Sequence, residues 1–243
     1  MARLRAYLFA DPLIILATIF FGLWSLVLSL FDDSGDALIR VARRWAKVLL
    51  AAGGVKVEVV GLEHIAPTGS YVFVSNHVSY MDTPVVLANI PVQFRFLAKR
   101  GLFQIPLLGT HLSQAGHIPV PREDPRASVK TMQLAAETIQ RRRISMLVFP
   151  EGGRSADGVM HEFKEGAAYI AIRAGVPVVP LAIIGTYHVL PMHSAVVRPG
   201  RVRLCILAPI PTSGLTLKDR VQLTEQLHER IAAQGLASTR QSA

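Results

Sequence analysis

Two short segments hold the residues best suited to chemistry. In the first, Asn76 and His77 directly follow the apolar run Tyr71 to Ser75, and Asp82 lies five residues beyond the histidine. On one continuous helix that spacing would set the two side chains about 140° apart, so contact requires His77 in a strand-to-helix turn and Asp82 in the first helical turn. Pro84 fits this placement, because a residue without an N–H is tolerated only near a helix start. A histidine so placed can take a proton from a weak nucleophile while the aspartate fixes its tautomer. A turn histidine beside a helix-capping aspartate has the same spacing, and the residues alone leave both readings open.

The second segment, Phe149-Pro150-Glu151-Gly152-Gly153-Arg154-Ser155, again follows an apolar run. Adjacent glycines let the backbone approach a ligand, and the Arg154 guanidinium is a fixed fork suited to phosphate or carboxylate. The GxxxxGK[ST] spacing of a Walker loop is absent. Gly116 to Arg122 is a third candidate, ending in Pro121-Arg122 at a strand end. Taken singly, each is also compatible with a structural turn carrying an exposed arginine. Cys205 lies in an apolar strand pattern and reads as core, and Ser79 lacks the GxSxG turn of an activated serine.

These segments need elements to hold them. Val55 to Val60, Tyr71 to Ser75, Phe94 to Ala98, His117 to Val120, Ile144 to Phe149, Val178 to Ile183 and Val202 to Leu207 read as strands. Helices are expected at about 80–90, 105–114, 127–142, 164–174 and 217–233, with a polar tail after Gly235 that should fray. The alternation implies an α/β fold with a mixed, largely parallel central sheet flanked by helices. Open α/β sheets place their sites at the C-terminal ends of strands, where both segments fall.

Ahead of the first strand the chain changes character. Leu13 to Phe31 runs nineteen residues without a charge, a helical length of about 28 Å against a hydrocarbon thickness of ~30 Å. It is longer than the usual signal h-region and lacks a small-x-small cleavage site before Asp32, Asp33 and Asp36. In the next helix, 37 to 51, Arg40, Arg43, Arg44 and Lys47 share one side while Leu38, Val41, Ala42, Trp45, Val48 and Leu49 share the other. Such a helix either lies in an anionic interface with Trp45 in the apolar layer or packs on its own domain with a solvated basic face. The expected division is a membrane-associated two-helix segment, 1–54, ahead of an α/β domain, 55–243.

The 243 residues are 51% hydrophobic and 18% charged, which excludes a disordered chain. The single cysteine allows no internal disulfide and no cysteine-based zinc cluster. A formal charge of +9 is concentrated in 91–143, where nine Arg or Lys face three acids. That field suits phosphates, anionic headgroups or an acidic protein. No zinc-finger, basic-zipper or aromatic-interleaved RNA signature accompanies it, so nucleic acid is not an expected partner.

In this order the segments resemble those of the lysophosphatidic acid acyltransferases, the 1-acylglycerol-3-phosphate O-acyltransferases of the glycerolipid acyltransferase superfamily. Asn76 to Asp82 matches the NHxxxxD box. Gly116 to Arg122, with Lys99, Pro106 and Gly109 before it, matches the glycerophosphate-binding block; Phe149 to Ser155 matches the FPEGTRS block, followed by Phe163, Lys164 and Gly166; Val176 to Leu181 matches the hydrophobic proline block. The match covers about residues 60 to 185. Gly153 replaces the usual threonine, and Pro119-Val120-Pro121 stiffens the chain before Arg122, departures that bear on the acceptor rather than on the reaction class.

The resemblance implies His77 as general base, Asp82 as its partner, Arg122 and Arg154 at the acceptor phosphate, and Glu151 as an important acid of the site. Asn76, Lys99, Gly116, Gly152, Gly153 and Ser155 complete the expected substrate contacts. It implies transfer of a fatty acyl group from acyl-CoA or acyl carrier protein to the sn-2 hydroxyl of 1-acyl-sn-glycerol-3-phosphate, giving phosphatidate, with no metal or cofactor. A lyso-ornithine lipid or another lysophospholipid is the alternative acceptor, and a non-catalytic membrane lipid-binding protein the alternative class. The activated donors and the basic helix both imply the cytoplasmic face of the inner membrane, reached by re-entrant or interfacial N-terminal helices across an anionic surface.

Overall fold

The structure, a computed structural model, describes residues 5–121 and 123–241. Seven strands form one sheet: β1 (Val55–Val60), β2 (Val72–Ser75), β3 (Phe94–Lys99), β4 (Ile118–Val120), β5 (Ser145–Val148), β6 (Val178–Ile184) and β7 (Gly200–Ile206). Their spatial order is β1-β7-β6-β2-β5-β3-β4, and among the described residues β6–β7 is the one antiparallel strand pair. The mixed, largely parallel sheet expected from the alternation of elements is present. β2 and β5 are buried at every position, as unbroken apolar runs covered on both faces must be.

The helices are α1 (Asp11–Leu28), α2 (Asp36–Gly53), α3 (Asp82–Asn89), α4 (Leu108–Gln114), α5 (Pro125–Arg142), α6 (Gly166–Ala174), the single turn α7 (Thr186–Val189) and α8 (Arg220–Gln241). On one face of the sheet, Phe73, Phe94 and Leu204 pack with Ala46 and Leu50 of α2 and with Val85 and Val86 of α3. On the other, Val72, Val74 and Met146 pack with Ile139 of α5, Ile170 of α6 and Leu227 of α8. Residues 72 to 74 thus alternate between two cores, the period-2 signature of a central strand.

Several boundaries differ from expectation for identifiable reasons. α4 starts at Leu108 rather than 105 because Leu107 takes a positive φ of 63°, which a continuous helix cannot contain. α6 starts at Gly166 because the Lys164 amide bonds Pro150 O instead of entering a helix. The C-terminal helix continues to Gln241, past Gly235 where fraying was expected.

The N-terminal segment also departs from the simplest expectation. A π-helical turn, Ala6–Ala10, runs straight into α1, so the apolar stretch is one joined helix over Ala6–Leu28. Most of its surface is open: Leu16, Phe20, Leu23 and Val27 are all more than half exposed. α2 behaves differently. Its apolar face does not lie free for an interface but packs on the protein, with Leu38, Ile39, Val41, Ala46, Leu49 and Leu50 buried. Trp45 donates through Nε1 to Thr18 Oγ1 of α1 at 3.0 Å, and Arg43 bonds Val92 O, leaving Arg40, Arg44 and Lys47 exposed.

Candidate active site

His77 sits in the turn that leaves β2, and Asp82 is the first residue of α3. The two meet: Nδ1 of His77 lies 2.9 Å from Oδ2 of Asp82. The same oxygen accepts the amides of Val78 and Ser79, each at 2.8 Å, so the turn wraps around the carboxylate. An ionised carboxylate only accepts, so Nδ1 carries the proton and Nε2 presents a lone pair. Nε2 is bonded by none of the described residues, and the side chain is 10% exposed. The imidazole plane is set by Phe149, whose ring stacks on it at 3.9 Å with 15° between planes.

The segment after β5 holds the histidine backbone from both sides. Glu151 Oε1 accepts the His77 amide at 2.6 Å, while the Ser155 amide donates to His77 O at 2.9 Å. The other Glu151 oxygen accepts the His161 amide at 2.9 Å. Burial raises the Glu151 pKa, against the pull of those two amides, which favour its ionised form. The loop therefore fixes His77 through its main chain, by contacts that no single-residue pattern announces. Ser155 is buried, with its hydroxyl donated to Asp157 Oδ1 at 2.6 Å. The Arg154 guanidinium lies over the Tyr80 ring at 4.2 Å, which brings the third block onto the first. Gly152 and Gly153 are half-buried beside it.

The remaining candidates divide. Lys99 ends β3, exposed, two strands from β2 at the same end of the sheet. The Asn76 amide is consumed by the backbone of Ile183: Nδ2 donates to its carbonyl at 2.9 Å and Oδ1 accepts its amide at 2.8 Å. Gly116 does not join the site. It turns the chain into β4 with a φ of 78°, level with Arg95 and beside Arg142, at the other end of the strands from His77. Spacing along a block cannot show this, because a parallel strand carries its two ends to opposite edges of the sheet. Arg122 lies outside the described residues. Cys205 is buried in β7, and burial raises its thiol pKa.

Sequence reasoning missed two contributors. Thr186, just after β6, donates to the second Asp82 oxygen at 2.6 Å. Phe149 stands in the motif, but the stacking role it takes is not legible there. The available signal was the rule that strand ends build sites: β6 is the parallel neighbour of β2. Behind Phe149 a cavity of about 460 Å³ opens between the ends of β3 to β5 and α5, lined by Leu97, Val120, Met132, Phe149, Phe163 and Lys164 among others. Among the described residues, no three or more His, Cys, Asp or Glu side chains are grouped to hold a metal ion.

A buried His–Asp pair at the strand ends of a largely parallel sheet, with a family model of acyltransferases matching residues 56–184, defines the class: the chain belongs to the acyltransferase family. Its likeness within that family is to 1-acyl-sn-glycerol-3-phosphate acyltransferases. It is 36% identical over 172 residues to the chloroplastic BAT2 enzyme of Brassica napus, covering 70% of this chain and 49% of that protein. It is 32% identical over 174 residues to the human alpha enzyme, covering 72% of this chain and 62% of that one. The chain thus spans about half to three fifths of the length of these relatives. The crystal structure of the 1-acyl-sn-glycerophosphate acyltransferase PlsC from Thermotoga maritima superposes with a TM-score of 0.79 at 27% identity, over 95% of each chain.

Proposed function

We propose that the protein transfers a fatty acyl group from acyl-CoA or acyl carrier protein to the sn-2 hydroxyl of 1-acyl-sn-glycerol-3-phosphate, giving phosphatidate. The observation that carries this reading is the 2.9 Å His77–Asp82 pair with its outward Nε2, in a chain of this family. A glycerol hydroxyl is a weak nucleophile. His77 Nε2 takes its proton as the oxygen attacks the thioester carbonyl, the thiolate of the donor leaves, and the proton passes to it. Asp82 stabilises the transient imidazolium, and general-base help of this kind is typically worth ~10²–10⁴ in rate. Arg154, together with Arg122 of the glycerophosphate block, receives the acceptor phosphate, with Lys99 adding to the positive field. Glu151 and Asn76 hold the base rather than the substrate. The apolar cavity behind Phe149 suits an acyl chain.

On this reading residues 1–54 are the membrane-associated two-helix segment and 55–243 the acyltransferase domain, on the cytoplasmic face of the inner membrane. Support comes from how both ends of the joined helix Ala6–Leu28 are tethered. At its start, Arg5 reaches the carbonyls of Ala52 and Gly53; at its end, the Asp32 to Asp36 turn is bound by Arg95 and Arg142. A helix held to the domain at both ends lies along it and offers its open apolar side to one leaflet, so the chain returns without crossing. The exposed Arg40, Arg44 and Lys47 then meet anionic headgroups.

Purified protein assayed with lysophosphatidate, other lysophospholipids and lyso-ornithine lipid, each against acyl-CoA and acyl carrier protein donors, tests the assignment. Lysophosphatidate should be the preferred acceptor. Preference for lyso-ornithine lipid would reassign the acceptor, and no transfer with any pair would leave a lipid-binding role.

A further inference from the structure

Asp82 has two carboxylate oxygens, and the segment around His77 occupies only one of them. Oδ2 receives His77 Nδ1 and the amides of Val78 and Ser79, all from within five residues. Oδ1 is met from elsewhere: Thr186 Oγ1, 104 positions along the chain, donates to it at 2.6 Å. Both residues are fully buried, so solvent does not stand in for that bond.

The fold brings Thr186 there by a specific turn. β6 runs parallel beside β2, and the chain leaves it through Gly185, whose φ is 93°. A Cβ at Gly185 would lie 2.7 Å from Arg201 O of β7, so only glycine makes this turn. The turn carries Thr186 across the end of β2. Two further ties hold the same stretch to the histidine segment: the Asn76 amide pairs with the Ile183 backbone, and Ser79 Oγ donates to Leu190 O at 2.6 Å.

Thr186 is the first residue of its helical turn, and its hydroxyl is directed at a carboxylate rather than at the backbone. A pivot about the Cβ–Cγ bond would move both oxygens at once, so the Thr186 bond to Oδ1 acts with the three bonds at Oδ2 to hold the carboxylate plane from its other side. The fixed plane aims Oδ2 at Nδ1 and so sets where Nε2 points. When positive charge develops on the imidazole, it meets an acceptor that has no reorganising to do. We propose that Thr186 is a positioning residue of acyl transfer, acting on His77 through Asp82. The inference rests on the acyl-transfer reading above.

The test uses the full-length protein in detergent–lipid micelles, with lysophosphatidate and a radiolabelled acyl-CoA so that slow variants stay measurable. Thr186→Val removes the hydroxyl and keeps the shape; Thr186→Ser keeps the hydroxyl. Thr186→Val is expected to lower kcat about tenfold or more, as loss of a hydrogen bond to a charged group does, with both KM values within about twofold. Thr186→Ser should recover most of that rate. In an Asp82→Asn background, Thr186→Val should cost little further, because residues acting as one unit are not additive. Equal factors in both backgrounds, or a Thr186→Ser variant as slow as Thr186→Val, would overturn the proposal. Full turnover by Asp82→Asn would instead overturn the catalytic pair itself, whereas a slow Asp82→Asn beside a fast Thr186→Val would remove Thr186 alone.

Discussion

The two ends of the sheet each carry a network of charged and polar side chains, and they are built differently. At the C-terminal ends of β2 and β5, His77 and Asp82 are held by short loops, and one nitrogen of the pair faces outward. At the N-terminal end of β3, Arg95 is wholly buried. Its guanidinium donates to Asp36 Oδ1 at 2.6 Å, to Ser34 O at 3.2 Å, to Gln93 Oε1 at 3.0 Å and to Phe94 O at 3.1 Å. Arg142 adds a bond to Ser34 O, and His111 Nδ1 pairs with Ser25 Oγ of α1 at 2.6 Å. One network leaves a reactive atom open; the other binds two helices to the domain. Burial of charge therefore does not by itself mark a site, and what separates the two is an open lone pair on a ring stacked against Phe149, which lines a cavity.

The two ends should differ most at His77. His77→Ala should lower turnover by ~10²–10⁴ or more while thermal unfolding stays near the wild-type midpoint, since the residue's backbone ties remain. Asp82→Asn should also slow turnover strongly, by loss of imidazole orientation. Wild-type-like turnover by folded His77→Ala would remove the general-base assignment.

The opposite pattern is expected at the other end. Asp36→Asn leaves the Arg95 guanidinium buried without its counter-charge, in an environment where burial already lowers its pKa. Breaking a fully buried pair costs ~3–5 kcal/mol, and because Asp36 is about a third exposed we expect about 2 kcal/mol here. Denaturant unfolding reads that loss, and kcat per folded molecule should be unchanged. A kcat loss at full stability would erase the distinction between the two ends.

Acid should act on the closed network as well. Burial lowers the His111 pKa to about 4, and burial also holds His117, whose Nδ1 accepts the Phe96 amide at 2.8 Å, well below its ordinary value. Both are neutral in the fold and free to charge when unfolded. Their contribution is whole above the unfolded value of about 6.5 and is lost as pH falls through that value toward about 4. Stability should fall between pH 6.5 and 4 by less in His111→Gln than in the wild type. An identical slope in both would show that acid acts elsewhere.

Much of this is legible in the amino-acid sequence. The alternation of apolar runs sets the α/β class, and the turn position of His77 and the helix-start position of Asp82 follow from spacing and Pro84. What the chain order hides is lateral. Gly116 falls at the wrong end of β4, and Thr186 reaches Asp82 only because β6 lies beside β2, which strand order decides and sequence neighbours do not. The α2 face is ambiguous for a similar reason: an amphipathic helix looks the same whether its apolar side meets lipid or, as here, the sheet core.

The phosphate role proposed for Arg154 predicts a smaller change. Arg154 is already stacked on Tyr80 at 4.2 Å, an arrangement worth ~0.5–1 kcal/mol at a partly exposed site, which holds its fork in one orientation. Arg154→Lys keeps the charge but loses both the planar stack and the paired donors. KM for lysophosphatidate should rise about threefold to tenfold, with less change for the dephosphorylated acceptor and little change in kcat. Tyr80→Leu should reproduce part of the KM increase through the lost stack alone. Equal losses for the two acceptors would mean that Arg154 serves the donor or the loop, and would shift the acceptor assignment toward lyso-ornithine lipid.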